Sequence, residues 1–252
     1  MNTVLVQELE RFNTLMKTIG RTLQDAKLAL SGLAVLTNDL DELRQAARMN
    51  RIPAVWLRQS YPSLKPLGSY TRDLLDRVAF FRGWMVATGP PDVYWMSAFF
   101  FPPAFLTGAR QDHARSNGLA IDRITFDYVF DSHGSHGSHG HSLDSGVLVR
   151  GLFFESACWE GGRDGKPGHL ARAAPHALFT QAPVIWFRAC EEAQVSDNPH
   201  YSCPCYKTAD RRGVLATTGH SSNFVCDIRC PTNEPEEVWV LAGVALLLDL
   251  PN

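Results

Sequence analysis

The spacing of apolar residues changes period partway along the chain, and that change restricts the fold more than any other feature. From Leu5 the apolar positions run Leu9, Phe12, Met16, Ile19, Leu23, Ala26, Leu30 and Leu33. These alternating steps of four and three keep one stripe on one side of a helix. Gly20 and Gly32 predict a kink or an end within that stripe. A second helix is expected from an Asn38 cap, with Asp41 and Glu42 where the macrodipole favours acids, and an apolar face of Leu36, Leu40, Leu43 and Ala47. A third is expected from a Ser69 cap through Tyr70, Leu74, Val78, Phe81 and Met85, stopping at Gly89-Pro90-Pro91. A fourth opens on Pro102-Pro103, since proline suits a first turn, and carries Phe105, Leu106, Ala109 and His113 to Gly118.

Beyond that point the period is two. Ile124, Phe126, Tyr128 and Phe130 alternate with polar neighbours, as a half-buried strand requires. Further strands are expected over 147–154, 184–188, 201–206, 223–230 and 238–248. Gly243 predicts a bulge or bend in the last of them, and Pro204 places its strand at an edge or a bulge. Helices followed by short strands with turns between them imply an α+β fold with an antiparallel barrel or sandwich. The expected division is a helical subdomain over 1–118 and a β subdomain over 119–252, with a His/Gly/Ser-rich loop insertion at 132–142.

Charge and apolar content narrow the function classes. A net charge of −2 and a pI near 6.5 argue against a nucleic-acid reader that works by bulk positive charge. Residues 1–120 hold 14 Lys and Arg against 10 Asp and Glu, while the remainder holds 10 against 16. Solvated faces account for this split as well as docking between the halves would. No apolar run approaches a bilayer span, and the N-terminal residues are acidic and amphipathic rather than signal-like. The six cysteines, at 158, 190, 203, 205, 226 and 230, are therefore expected to be reduced, in a cytosolic compartment.

Candidate chemistry is sparse. His133, His136, His139 and His141 supply enough imidazoles for zinc, nickel or copper. Gly and Ser fill every gap between them, so nothing presets a coordination geometry, and a loop insertion is the expected reading. Its deletion, from Ser132 to Ser142, should shift stability by ~1 kcal/mol or less. Thermal melting followed by circular dichroism checks this. Collapse of the β signal, or loss of a tightly held metal, would restore the metal reading.

The pairs Cys203/Cys205 and Cys226/Cys230 do not have the spacing of paired zinc knuckles and are expected to behave as small hydrophobes on strands. His220, Ser221 and Ser222 sit in a Gly/Ser/Thr-rich turn with no nucleophile elbow. No phosphate-cradling glycine motif is present. The aromatic block of Tyr94, Trp95, Phe99, Phe100, Phe101 and Phe105 is expected to be core rather than a ligand pocket.

Longer blocks carry a family resemblance. NTVLVQELERFN (2–13), IPAVWLRQSYPSLKPLGSY (52–70), FFFPPAFLTGARQDHAR (99–115), ITFDY (124–128), GLFFESACW (151–159), PVIWF (183–187), YKTADRRGVLATTGHSSNFV (206–225) and GVALLLDLPN (243–252) occur in this order. Together they closely resemble the extreme C-terminus of dynein heavy chains, colinear over essentially the whole sequence. The LTGARQ and RRGxLxTTGHSxNF wording looks more like axonemal than cytoplasmic heavy chains, of an inner-arm type. The resemblance implies a helical bundle followed by a β-barrel, following the sixth AAA+ module and lying across one face of the motor ring. It further implies a non-catalytic domain that docks on the AAA+ ring of its own heavy chain and modulates microtubule-based motility. ATP hydrolysis belongs to upstream modules, so no catalytic or cofactor-binding residue is carried over. Implied partners are the ring modules, with the dynein complex and microtubules reached indirectly, and no nucleic acid or membrane. The implied location is the cytoplasm and cytoskeleton, in the axoneme of a cilium or flagellum.

The histidine tract and GGRDGKPGH (161–169) depart from the family wording and look like loop insertions. Met1 falls where the family sequence continues, so a fragment or a separate short product is expected. Two readings compete: a metal-dependent hydrolase or metal-binding protein using His133 to His141, and a free-standing protein-interaction module.

Overall fold

The computed structural model describes residues 1–131, 145–162, 167–214 and 221–251. It has mixed α+β architecture and splits into two compact units. One comprises Asn2–Gly89 and Ala98–Phe101 with the terminal residues from Leu250; the other comprises Met1, Pro90–Ser97 and Pro102–Asp249.

In the helical unit, α1 (Asn2–Leu30) is followed by α2 (Asn38–Arg48), α3 (Ala54–Leu57) and α4 (Leu67–Val86). Helix α1 runs through Gly20 without a break. It stops at Gly32, whose φ of 74° is the left-handed turn that closes helix ends. There the Leu33 amide donates to the Leu28 carbonyl and the Gly32 amide to the Ala29 carbonyl.

The buried face of α1 is not the predicted stripe. Val4, Glu8, Phe12, Leu15, Thr22 and Ala26 are buried, whereas Met16, Leu23 and Leu30 are 39%, 49% and 70% exposed. Apolar spacing is blind to polar residues that have partners. Thr22 Oγ1 accepts the Trp56 indole N–H at 2.9 Å, and Glu8 accepts the backbone N–H groups of Phe100 and Phe101 at 2.6 and 3.2 Å. Those two polar positions rotate the helix and leave the 16–23–30 line in solvent.

Two predicted caps are also corrected. Thr37, not Asn38, caps α2, its hydroxyl accepting from the Leu40 amide. Helix α4 starts after Pro66 with no side-chain cap, and Ser69 lies inside it. Its buried face includes Arg77 as well as Tyr70, Leu74, Phe81 and Trp84, while Met85 is exposed. Phe12 of α1 meets Phe81 of α4 at 5.3 Å between ring centroids.

In the other unit, β1 (Val93–Trp95) precedes α5 (Pro102–Asn117), which opens on two prolines as expected. Phe105 of α5 is fully buried and packs on Tyr94 of β1 at 4.9 Å. The remaining strands are β2 (Ile124–Asp131), β3 (Gly146–Arg150), β4 (Phe153–Glu155), β5 (Ala157–Glu160), β6 (His169–Arg172), β7 (Phe179–Gln181), β8 (Val184–Glu191), β9 (His200–Thr208), β10 (Phe224–Pro231) and β11 (Ala245–Asp249). They form sheets ordered β1-β3-β8-β2, β10-β9-β11-β4-β7 and β5-β6. No closed barrel is found among the described residues.

The sheets are not purely antiparallel either: β1 pairs with β3, and β11 with β9, in parallel. Each parallel pair is joined through other elements, as a parallel neighbour requires. The predicted 147–154 strand divides at Gly151, whose φ of 88° and close approach to Trp95 exclude a side chain. Its halves enter different sheets. The predicted 238–248 strand is half helix: α6 (Glu236–Ala242) begins after Pro235 with Glu236 and Glu237 in its first turn. Gly243, at φ 68°, caps that helix rather than bending a strand. Pro204 does not mark an edge: β9 lies between β10 and β11, and Pro204 sits just before β11 begins pairing at Cys205, so it needs no N–H on that side. Phe224 is only half-buried, because the bulge between Phe224 and Cys226 presents Val225 to the interior instead.

Candidate functional site

The metal candidates His133, His136, His139 and His141 lie outside the described residues, as does His220. Among the described residues no group of three or more His, Cys, Asp or Glu is placed to hold a metal ion. Ser221 and Ser222 build a turn: their hydroxyls accept the Asn223 and Val214 amides at 3.1 and 3.0 Å. The four clustered cysteines share one face of β9 and β10, with Cys203, Cys205 and Cys230 buried and Cys226 half-buried. The aromatic block divides between the cores of the two units. Phe99 packs on Phe81 and Phe100 on Phe12 in the helical unit, while Tyr94 packs on Phe105 in the other. Phe101 is partly exposed beneath the Arg11 guanidinium.

Two polar clusters brace the helical unit. Around Asp73, Arg77 Nε donates at 2.7 Å and the Tyr61 hydroxyl at 2.9 Å, with Lys65 Nζ at 3.8 Å. The Arg77 guanidinium lies 3.8 Å from the centre of the Tyr61 ring. Burial pushes the Tyr61 and Tyr70 phenols above their ordinary pKa, so both stay protonated.

Glu8 is the second cluster. Burial raises its carboxyl pKa, against the lowering effect of the Phe100 and Phe101 amides and of Arg11. The folded state therefore holds this proton more tightly than the unfolded state does. The associated stability is complete below the unfolded carboxyl pKa of about 4.3 and is lost as pH rises through the raised folded value. Glu8→Gln should match the parent at pH 4 and be the more stable of the two near neutrality. Urea denaturation at a series of pH values measures the gap, and a constant gap would refute the assignment.

In the strand unit, Arg211 braces the described part of the block 206–225. Its guanidinium pairs with Glu155 and donates to the Gly243 carbonyl at 2.7 Å. Asn223 Nδ2 donates to the Asp210 carbonyl at 2.6 Å, and Lys207 Nζ to the Ser222 carbonyl at 3.0 Å. These contacts assign structural work to the most distinctive wording in the sequence. Val214, beside them, is strongly exposed. None of these clusters resembles a nucleophile with its base or a paired acid and base; each is a fold brace.

Part of the predicted apolar stripe forms a surface instead of core. Met16, Leu23 and Leu30 fall seven residues apart on the solvent side of α1, Leu28 is exposed near its end, and Leu33, Val35 and Leu36 extend the apolar exposure past it. Exposed apolar residues repeated along one side of a helix point to a place where something else packs. The signal for it was present, since the predicted stripe continues past the end of the helix to Leu33.

Comparison with known proteins agrees with the sequence blocks. The family of C-terminal domains of dynein heavy chains matches residues 1–248. The chain is 42% identical over 255 residues to dynein axonemal heavy chain 12 of Mus musculus, covering 100% of this chain and 8% of that protein. It is 41% identical over 252 residues to dynein axonemal heavy chain 3 of Mus musculus, covering 100% of this chain and 6% of the relative. Against dynein axonemal heavy chain 1 of Homo sapiens it is 41% identical over 252 residues, covering 99% and 6%. The chain thus spans less than a tenth of the length of these curated relatives. A match over nearly every residue, with the brace around Arg211 and the split of the aromatic block explaining the wording, means that this chain belongs to the family formed by the C-terminal domains of dynein heavy chains.

Proposed function

We propose that the chain is a non-catalytic domain of an axonemal dynein heavy chain, which docks on the AAA+ ring and modulates microtubule-based motility. The observation that supports docking is the exposed apolar line Met16, Leu23 and Leu30 on α1, continued by Leu33, Val35 and Leu36. Interfaces between domains of one protein typically cover about 600–1,500 Å². In this reading ATP is hydrolysed by modules outside this sequence, and the domain acts through contacts whose strength differs between ring states. The division into a helical and a β domain belongs to the same reading, as does a barrel-like β body. The edge strands β2 and β10 support that body, because the Tyr128 hydroxyl of β2 donates to the Asp227 carbonyl of β10 at 2.9 Å. The setting is the axoneme of a cilium or flagellum.

Leu23→Asp together with Leu30→Asp, placed in a full-length heavy chain, tests the proposal. Both side chains are exposed, so the isolated 252-residue protein should melt as the parent does. The motor should retain ATP hydrolysis but change run length, stall force or microtubule stimulation, as should a motor lacking the whole domain. Motility indistinguishable from the parent in both variants would leave no regulatory role.

A further inference from the structure

Four of the six cysteines meet on one face of an antiparallel strand pair. Cys203 and Cys205 alternate along β9, and Cys226 and Cys230 flank Ile228 on β10. The register sets Cys205 directly opposite Cys226 and Cys203 opposite Ile228, with Cys230 opposite Tyr201. The Cys226 thiol helps push the Cys205 pKa up, and the Cys230 thiol does the same for Cys203.

Geometry separates the two pairs. Directly opposed residues of an antiparallel ladder have Cα atoms about 4.5 or 5.5 Å apart, and both spacings fall within the disulfide range of about 4.4–6.8 Å. Cys203 and Cys230 are diagonal neighbours, at about 7–8 Å, beyond the reach of a bridge without backbone movement. Access separates them too. Cys203, Cys205 and Cys230 are buried, whereas Cys226 is half-buried, so a reagent from solvent enters this group at Cys226. The neighbouring thiol and burial push the Cys205 pKa up, which keeps it a reserve thiol rather than the first site of attack.

We propose that Cys226 is a peroxide-reactive modification site that resolves onto Cys205 as a cross-strand disulfide. In the first step Cys226 Sγ takes one oxygen of hydrogen peroxide; the O–O bond breaks, leaving a sulfenic acid and one water. In the second, Cys205 Sγ attacks Cys226 Sγ; the S–S bond forms, the S–O bond breaks, and the hydroxide leaves with the Cys205 proton as a second water. Two thiols supply two electrons, and one peroxide is reduced to two waters. The bridge closes the segment between β9 and β10, which carries Arg211 and its contacts to Glu155 and Gly243. It also stands beside the Tyr128–Asp227 contact between the two sheet edges. Cys158 is half-buried as well, but on β5 its thiol faces the Arg172 carbonyl at 3.2 Å, so its oxidation adds oxygen and makes no bridge there.

The test exposes the 252-residue protein to hydrogen peroxide, quenches with catalase, alkylates under denaturing conditions and maps tryptic peptides by mass spectrometry. Lys207, Arg211 and Arg212 lie between the two cysteines, so a bridge joins peptides that otherwise separate. The expected result is loss of two hydrogens, a single linkage of peptide 189–207 to peptide 213–229 that fragmentation places at Cys205 and Cys226, and full reversal by dithiothreitol. Cys230→Ser should keep the link and Cys226→Ser should abolish it. A Cys203–Cys230 link, oxidation of Cys226 that halts at sulfinic or sulfonic acid, or Cys205 and Cys226 both unmodified would each overturn the proposal. The wild-type map decides the matter even if a serine variant does not fold.

Discussion

Arg77→Ala should destabilise the helical unit by about 3–5 kcal/mol, the cost of removing one partner from a buried ion pair. Arg77 is 2% exposed, and its guanidinium does two things at once. It donates to Asp73 through Nε and covers the Tyr61 ring at 3.8 Å. The alanine leaves the Asp73 carboxylate with the Tyr61 hydroxyl and a Lys65 ammonium 3.8 Å away, and uncovers an aromatic face. Arg77→Lys should recover only part of the loss, since an ammonium has neither the planar stacking surface nor the Nε donor geometry. Urea denaturation followed by tryptophan fluorescence, with Trp56 and Trp84 both in this unit, measures the change. A loss below about 1 kcal/mol would mean that the pair behaves like a solvated surface bridge.

Phe187→Ala should cost the strand unit about 3–5 kcal/mol, the usual range for a large aromatic cut out of a core. Phe187 is fully buried on β8, which is flanked by β2 and β3, and it meets Phe126 at 5.6 Å and Tyr128 at 5.0 Å. Both contacts lie on one face of β2, so no small adjustment of a single neighbour refills the space. Phe126→Ala should cost somewhat less, because its side chain belongs to an edge strand and keeps a little exposure. The two substitutions share a contact, so the double variant should lose less than the sum of the singles. Denaturation midpoints of the parent, both singles and the double variant test this, and strict additivity would show that the rings are energetically independent.

The mixture of helix and strand, its order along the chain and the family were legible before any tertiary contact was known. The long helix at the start, the proline-led α5 and the alternating β2 follow from local rules: period, capping preference and the fixed φ of proline. The errors share one cause. Thr22 and Glu8 lie on the buried face of α1 because a tryptophan and two backbone amides, distant in sequence, satisfy them. The run 238–248 looks like a strand because Val238, Val240 and Leu241 favour one locally, yet Pro235 and two glutamates start a helix whose Trp239 is buried.

For the candidate surface and the thiol pair, sequence supplied the residues and tertiary structure supplied their meaning. Met16, Leu23 and Leu30 were visible as an apolar row, but whether a row faces core or solvent depends on which partners the other helices present. Cys205 and Cys226 are separated by a long stretch of sequence, and only a strand register, set by packing on one face and a bulge at Phe224/Cys226, puts them opposite each other. Sequence by itself determined the period, the breaks and the family, because those depend on neighbours along the backbone. Tertiary structure alone decided facing, register and parallel pairing, because burial and hydrogen-bond satisfaction are settled by residues far apart in sequence that meet only in the folded state.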